Sequence, residues 1–522
     1  MPKPRLPQKR RDGFGRWLGL QLGRVSRKQV WMGCLLAVLS LAGRAALLPW
    51  IPMPKPGIQD EFSYLLAADT LAAGRLTNPM HPLWVHFETM HELVRPTYQS
   101  KYPPLQGLIL ATGQVIFGNP WFGVWLSIGV MCAAIYWALC GWLPPKWALL
   151  GGVLALLRVG FLNYWSESYW GGAAAAIGGA FIVGAVPRLR RRAEWKCGVI
   201  LGVGLAMLAI SRPFEGLLLA VGCVAALVKI RWHLIAAPLA TVLIPVALWM
   251  GYYNFRVTGN LFELPYVAHE RQYATWSPFI WNTHPRPAPH YNHEALGTAW
   301  IGWEEAHRYT ERAHPWQRRW WDFVVNHHFY LGSPLTLCAL GFAFIIFRKQ
   351  PKLRPAVLIA VWFLLAAETE TFLWPHYLAP ATALFYTVAI SALRRLRHFS
   401  LIAAVLVILA TLALDFGGYT RPENRFLFDK RDFIAHRDSI LEKLRRQPGE
   451  HLVLVSFGPE HDLNHEWVYN RAKIDNAHIV WAREMGDQKD AELLRYYAGR
   501  KVWRLFDNGA KGVTLSPLPH PK

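Results

Sequence analysis

Acidic residues are scarce in this chain, and cysteines scarcer still. Its 522 residues include 34 Asp and Glu against 56 Lys and Arg, charged residues make up only 17%, and cysteine occurs six times. Cys34, Cys132, Cys140, Cys197, Cys223 and Cys338 all fall inside apolar segments with no CxxC spacing, which excludes a disulfide framework and a thiolate metal site. What fills the chain instead is apolar: 53% of residues are hydrophobic and 26 are Trp, a balance foreign to soluble enzymes and typical of a chain that crosses a bilayer repeatedly.

The net charge of +22 sits in short clusters between apolar segments and forms no basic patch interleaved with a soluble nucleic-acid fold. It reads as topology, not as nucleic-acid binding. The chain opens with "MPKPRLPQKRRDGFGRWLGLQLGRVSRKQ", a basic stretch without a small-residue cleavage site, so residues 1–30 are expected to be a cytoplasmic anchor.

Eleven apolar runs are long enough to cross, or nearly so: about 31–50, 120–142, 146–163, 172–187, 197–211, 214–229, 232–251, 328–347, 355–372, 377–393 and 399–415. A twelfth piece, "PPLQGLILATGQVIFG" at 103–118, is short and opens with two prolines. If it does not span, "PPK", "RLRRRAEWK", "KIRWH", "RKQPKLR" and "RRLRH", with fifteen Lys and Arg, share one side, and Arg212 is the only one in the short turns opposite. If it spans, the bias inverts, so it is expected to be an interfacial or re-entrant helix on the outer side. The expected layout is a helical membrane domain over 31–415, with exterior loops at about 51–119 and 252–327 and an exterior tail over 416–522, in a plasma (inner) membrane. The run "WGGAAAAIGGAFIVGA" is rich in Gly and Ala, which lets neighbouring helix backbones approach closely.

Two adjacent acids, Asp60 and Glu61, follow the first apolar run in "GIQDEFSYLLAADTLAAGRL". Residues 60–73 can form a helix with Gly74 at its stop position, lying along the membrane surface. Asp60 at its N-terminus would cap backbone NH groups. Consecutive helical residues point about 100° apart, so the two acids are poorly placed as a facing acid and base pair, and one is expected to work alone.

The Asp-Glu pair, Tyr64 and Ala68 in a short helix, "GRL" and then "SKYPPLQGLIL" resemble the first exterior loop of GT-C glycosyltransferases that use lipid-linked donors. The protein O-mannosyltransferases and the lipid A aminoarabinose transferases are the families concerned. The resemblance covers the span order of residues 31–415 and the large first loop. It implies transfer of a sugar, with inversion, from a polyprenyl phosphate carrier to an acceptor at the outer face. It also implies that Asp60 is the catalytic base, with Glu61 as its companion acid. In the aminoarabinose transferases a Lys directly before a Pro-Pro pair lies near the lipid phosphate; here Tyr102 intervenes between Lys101 and Pro103.

Other charges sit near the outer face. Arg212 and Glu215, in "SRPFEG", could grip a phosphate or pair with each other. Arg44 and Arg158 lie inside spans, where an arginine needs a partner or must snorkel to headgroups. Glu167 in "YWSESYWGG" could orient a sugar or acceptor or be simply exposed, and His376 and Tyr377 begin a span as interfacial anchors or site residues. His284, His290 and His293 invite a metal reading, but their spacing matches no compact site, so no metal or other cofactor is expected.

In the tail, "HLVLVSF", "HIVWA" and "KVWRLF" have strand character and "DQKDAELLRYYAG" has helical spacing, the pattern of a small α/β domain. It carries no GxGxxG and no P-loop, so nucleotide use is unsupported. The rival class, a transporter or flippase of a lipid-linked sugar or other amphiphile, would favour inverted repeats and helices broken at the midplane. No repeat is visible.

The orientation has a direct check. In a background without the native cysteines, Lys55→Cys is expected to react with a membrane-impermeant thiol reagent from the outer face. Reaction seen only in inverted vesicles would overturn the topology.

Overall fold

A computed structural model describes residues 28–282, 284–415, 430–462 and 464–518. The fold begins with α1 (Gln29–Ala46) and the first loop, which holds α2 (Gln59–Ala72), three short strands and α3 (Pro104–Phe117). The strands β1 (Asn78–Pro79), β2 (Glu92–Leu93) and β3 (Thr97–Ser100) pair antiparallel in the order β1-β3-β2. Next come α4 (Trp121–Trp142), α5 (Pro145–Val159), α6 (Gly172–Arg191), α7 (Trp195–Ala209), α8 (Pro213–Leu227) and α9 (Ala236–Thr258). The second loop folds into α10 (Pro265–Tyr273), α11 (Glu294–Ala313) and α12 (Pro315–Tyr330). The helical part closes with α13 (Gly332–Lys349), α14 (Arg354–Ala367), α15 (Pro375–Leu378), α16 (Thr382–Phe399) and α17 (Leu401–Asp415).

Each of the eleven apolar runs contains a helix. Among the described residues, six helices are long and apolar enough to cross a membrane: Gln29–Ala46, Trp121–Trp142, Gly172–Arg191, Ala236–Thr258, Gly332–Lys349 and Pro375–Phe399. The helices in the other five runs have only 14 or 15 residues. At about 1.5 Å per residue these reach roughly 21–23 Å, short of a hydrocarbon core of about 30 Å. The helix Pro104–Phe117, at 14 residues, is equally short. Two boundaries differ from the sequence reading. The run at 328–347 is broken at Gly332 (φ 70°), so its first residues belong to α12 and the long helix starts at Gly332. The run at 232–251 extends to Thr258 and ends at Gly259 in the left-handed conformation, which shortens the second loop by about two turns of helix.

The Gly/Ala-rich α6 is the most enclosed of the long helices, with 89% of its apolar window buried. Its small residues serve close backbone approach, as their composition suggests. A Cβ on Gly179 would lie 1.9 Å from the carbonyl oxygen of Pro380, and one on Gly204 in α7 2.6 Å from the carbonyl of Gly178.

The tail forms α18 (Arg431–Arg445), β4 (His451–Phe457), β5 (Ile479–Arg483), α19 (Asp487–Tyr496), β6 (Lys501–Asp507) and β7 (Val513–Pro517). The three strands and the helix read from the sequence are β4, β5, β6 and α19. The sheet order is β5-β4-β6-β7, with β4 parallel to both neighbours and β7 antiparallel to β6. Its core is shared with the first loop. On one face Leu452, Leu454 and Val480 pack with Leu66, Phe87, Val94 and Tyr98; on the other, Val453, Val455 and Trp467 pack with Phe62 and Phe433. Helix α2 is therefore wedged between the membrane bundle and the sheet.

Gly179→Ala is expected to destabilise the folded protein by about 1–3 kcal/mol, the range for overpacking. A lowered melting temperature in detergent tests this; an unchanged one would contradict the close packing of α6.

Candidate functional site

The first turn of α2 decides what its two acids do. Ile58 is the N-cap residue and has no polar side chain, so the orphan NH groups must find an acceptor elsewhere. Glu61, at the third helical position, reaches back as half of a capping box. Its Oε2 accepts from the backbone NH of Gly57 at 2.9 Å and of Ile58 at 3.3 Å, and its Oε1 from that of Tyr169 at 3.3 Å. Lys430 Nζ lies 2.9 Å from both oxygens. The capping role expected of Asp60 thus falls to Glu61, because the side chain at N3, not the one at N2, folds back over the helix start. Glu61 is fully buried and committed, which leaves it no face toward a reacting group.

Asp60 points elsewhere. Its Oδ1 accepts from the Tyr102 hydroxyl and lies 3.6 Å from His91 Nε2. The side chain keeps 28% of its surface accessible although protein surrounds it on most sides. Burial pushes its carboxyl above the ordinary carboxylate range, the hydrogen bond from Tyr102 and the field of Lys101 pull it down, Glu61 adds to the rise, and Arg212 opposes it. The net direction is upward.

Two cations flank this carboxylate. Lys101, only 4% exposed, lies 3.3 Å from Glu270 Oε1 and over three rings: Tyr266 at 4.8 Å, Trp300 at 5.3 Å and Tyr102 at 5.5 Å. A caged ammonium of this kind is desolvated and held by ring quadrupoles as well as by its carboxylate. Arg212, the N-cap residue of α8, pairs with Glu215 at 3.3 Å and lies over the ring of Tyr377 at 4.5 Å. Of the two alternatives read from "SRPFEG", the local pair forms, and the guanidinium also acts on Asp60 through its field. Glu370, in the turn before α15, is buried, with no hydrogen-bond partner for Oε1. Burial and Glu215 push its carboxyl well above the usual range, against the pull of Arg212.

Of the remaining expected residues, His376 borders this group, its ring 4.8 Å from that of Tyr377, while Arg44, Arg158 and Glu167 are engaged elsewhere. Glu167 is neither exposed nor open to a ligand: Arg44 binds it in a fork, Nε to Oε1 at 2.7 Å and Nη2 to Oε2 at 2.9 Å. That pair supplies the partner Arg44 needs, and neither side chain snorkels. Arg158 donates from Nε to the carbonyl of Phe329 at 3.1 Å inside the bundle. His376 Nδ1 meets the Tyr164 hydroxyl at 3.1 Å. Of the loop histidines, His293 binds the carbonyl of Val85 at 2.7 Å while His284 and His290 are exposed.

Sequence reasoning missed His91, Tyr266, His269, Glu270, Trp300 and Glu370. Part of that set had a signal. Tyr266, His269, Glu270 and Tyr273 recur at three- and four-residue steps in "PYVAHERQY", one face of a single helix.

No protein-family model matches the chain, and no curated protein matches it. Among solved structures, the chain is similar to ArnT from Cupriavidus metallidurans, solved bound to undecaprenyl phosphate: 13% identity over 95% of this chain and 93% of that one, with a TM-score of 0.50. The chain has a GT-C fold. It is also similar to the oligosaccharyltransferase of Archaeoglobus fulgidus. The structure with an inhibitory peptide and a dolichol-phosphate matches at 11% identity, over 95% of this chain and 70% of that one, at a TM-score of 0.48. Another structure of the same enzyme matches at 12% identity, over 92% and 68%, also at 0.48.

Removing Glu61 alone strands a buried ammonium. Glu61→Ala is expected to cost about 3–5 kcal/mol, and the double variant Glu61→Ala/Lys430→Met to recover part of that loss. Unfolding curves in detergent would show it; no recovery in the double variant would contradict the pairing.

Proposed function

We propose that this protein is an inverting glycosyltransferase that moves a sugar from a polyprenyl-phosphate-linked donor to an acceptor at the exterior face of the membrane. Eleven crossings, with the two large loops and the tail outside and the N-terminus inside, complete the reading. The observation that carries it is the placement of Asp60: a partly accessible carboxylate, its pKa raised by burial, in the field of two cations that each lie over aromatic rings. The GT-C fold supports the same reading.

In this mechanism Oδ1 of Asp60 is held by Tyr102 and the second oxygen, Oδ2, is the base. It takes the proton of the acceptor hydroxyl as that oxygen attacks the anomeric carbon from the face opposite the phosphate. The carbon–phosphate-oxygen bond breaks with its electron pair, and the carrier phosphate leaves with one more negative charge. A base works best with a pKa near the working pH, and burial shifts Asp60 in that direction. Lys101 and Arg212 stabilise the departing phosphate, since fixed cations in a desolvated site act where charge develops. Each is neutralised by its own carboxylate, Glu270 or Glu215. Glu61 holds the helix, and Tyr377 backs the Arg212 guanidinium.

Asp60→Asn is expected to reduce release of polyprenyl phosphate from a radiolabelled sugar carrier by at least about 100-fold, while carrier binding and folding persist. Turnover of the parent protein should fall as pH drops through the raised pKa of Asp60, at a higher pH than for an ordinary carboxylate, because only the ionised form accepts the proton. Full activity in Asp60→Asn would overturn the assignment. Carrier crossing the bilayer uncleaved would point to transport instead.

A further inference from the structure

His91 occupies an unusual place for an unassigned residue. Among the described residues it is the only one other than glycine with a positive φ, 65°, a left-handed backbone that side chains with a Cβ adopt rarely and that persists only where the surroundings over-determine it. Here they do. The carbonyl of His91 accepts the Ser63 hydroxyl at 2.6 Å and the backbone NH of Lys101 at 3.1 Å, tying the residue both to α2 and to the strand end that carries the site lysine. The ring, 8% exposed as a residue, sits edge-on to Trp300 at 5.7 Å, with Tyr102 at 5.9 Å and His269 at 6.1 Å.

Its two nitrogens are unequal. Nδ1 is buried with no hydrogen-bond partner, while Nε2 lies 3.6 Å from Oδ1 of Asp60. Burial, with the field of Lys101 adding to it, holds the ring well below the usual histidine range, so it is neutral and carries a single NH. A lone NH on a ring with one orphan nitrogen and one carboxylate neighbour belongs on the side of the carboxylate. The gap of 3.6 Å is longer than a hydrogen bond, and catalytic contacts often tighten only when substrate is bound.

We propose that His91 is a positioning residue for Asp60: its Nε2–H, aimed by the left-handed backbone, fixes the carboxylate rotamer so that the other oxygen faces the acceptor. This rests on the reading of Asp60 as base. The role is orientation, not proton transfer. The ionisable groups around the ring are Asp60 from α2, Lys101 and Tyr102 from the segment before α3, and His269 and Glu270 from α10, with Trp300 of α11 closing the box. Of these, His269 is itself buried with neither nitrogen paired, and Glu270 is engaged with Lys101. Tyr102 and His91 then hold Oδ1 from two directions, and neither competes for Oδ2.

The test compares three variants in the full chain, reconstituted in lipid with a radiolabelled sugar carrier. His91→Phe keeps the ring volume and removes the NH. It is expected to lower kcat about 10- to 100-fold, the worth of one charge-assisted hydrogen bond, with KM for the carrier within about twofold. The acid limb of its pH profile should move upward by about one unit, because Asp60 loses a donor that favours its ionised form. His91→Gln, whose amide NH reaches a similar position, should restore most of kcat and return the acid limb toward that of the parent. Should the Phe variant fail to fold, His91→Asn replaces it: asparagine tolerates the left-handed backbone, but its amide is too short to reach Asp60, so the same losses are expected. Parental kcat and pH profile in the variant without the NH, or no difference between it and His91→Gln, would overturn the proposal. Asp60→Asn is run alongside. If it turns over fully, the reading of Asp60 has failed; if it is inactive while the variant without the NH behaves as the parent, only the role of His91 has failed.

Discussion

A buried ion pair between Glu61 and Lys430 sets the geometry on which the rest of this protein depends. It joins residues 369 positions apart in sequence, caps the first turn of α2 and ties the membrane-proximal loop to the tail. With both partners desolvated, neither can leave without stranding the other, so the start of the helix is fixed in both translation and rotation. Asp60 is the residue before Glu61. Once Glu61 turns back over the helix start, the geometry of the helix sends Asp60 about 100° away, toward Tyr102 and His91.

The second constraint is shape. Helix α2 has one end in this ion pair and its length in two hydrophobic clusters shared with the tail sheet, through Phe62 and Leu66. Asp69, near its far end, accepts from Arg471 at 2.6 Å and from the backbone NH of Ala472 at 2.9 Å. The tail is therefore a buttress for the helix that presents Asp60. The second loop meets the first from the other side, because α10 contributes Tyr266, His269 and Glu270 from one face to Lys101 and His91. Membrane bundle, first loop, second loop and tail each supply part of one site, and each is positioned by packing against the others.

The electrostatics follow from that enclosure. In water Lys101 and Arg212 would be solvated and screened; here rings and carboxylates replace the water. Lys101 is paired with Glu270 and Arg212 with Glu215, and each cation lies within the electrostatic reach of Asp60. The same desolvation that strengthens the cations raises the pKa of the carboxylate. In the proposed mechanism, one physical cause thus prepares both the base and the groups that receive the leaving charge.

Sequence alone determined what depends on composition and on neighbours along the chain. Apolar runs located the helices, the Gly and Ala of α6 announced close packing, short segments of strand character marked β4, β5 and β6, and Gly74 marked the end of α2. Asp60 and Lys101 stood out by the resemblance of the first loop, and Arg212 as the one cation in the short outer turns. Tertiary structure decided everything that depends on distant partners. Which of two adjacent acids caps and which stays partly accessible turned on Lys430, far along the chain, and Glu167 was withdrawn from the site by Arg44. His91 and Glu270 gained meaning only from residues brought beside them. Local propensity acts over a few residues, whereas the side-chain roles in this site are set by desolvation and pairing across hundreds, and no spacing rule records those.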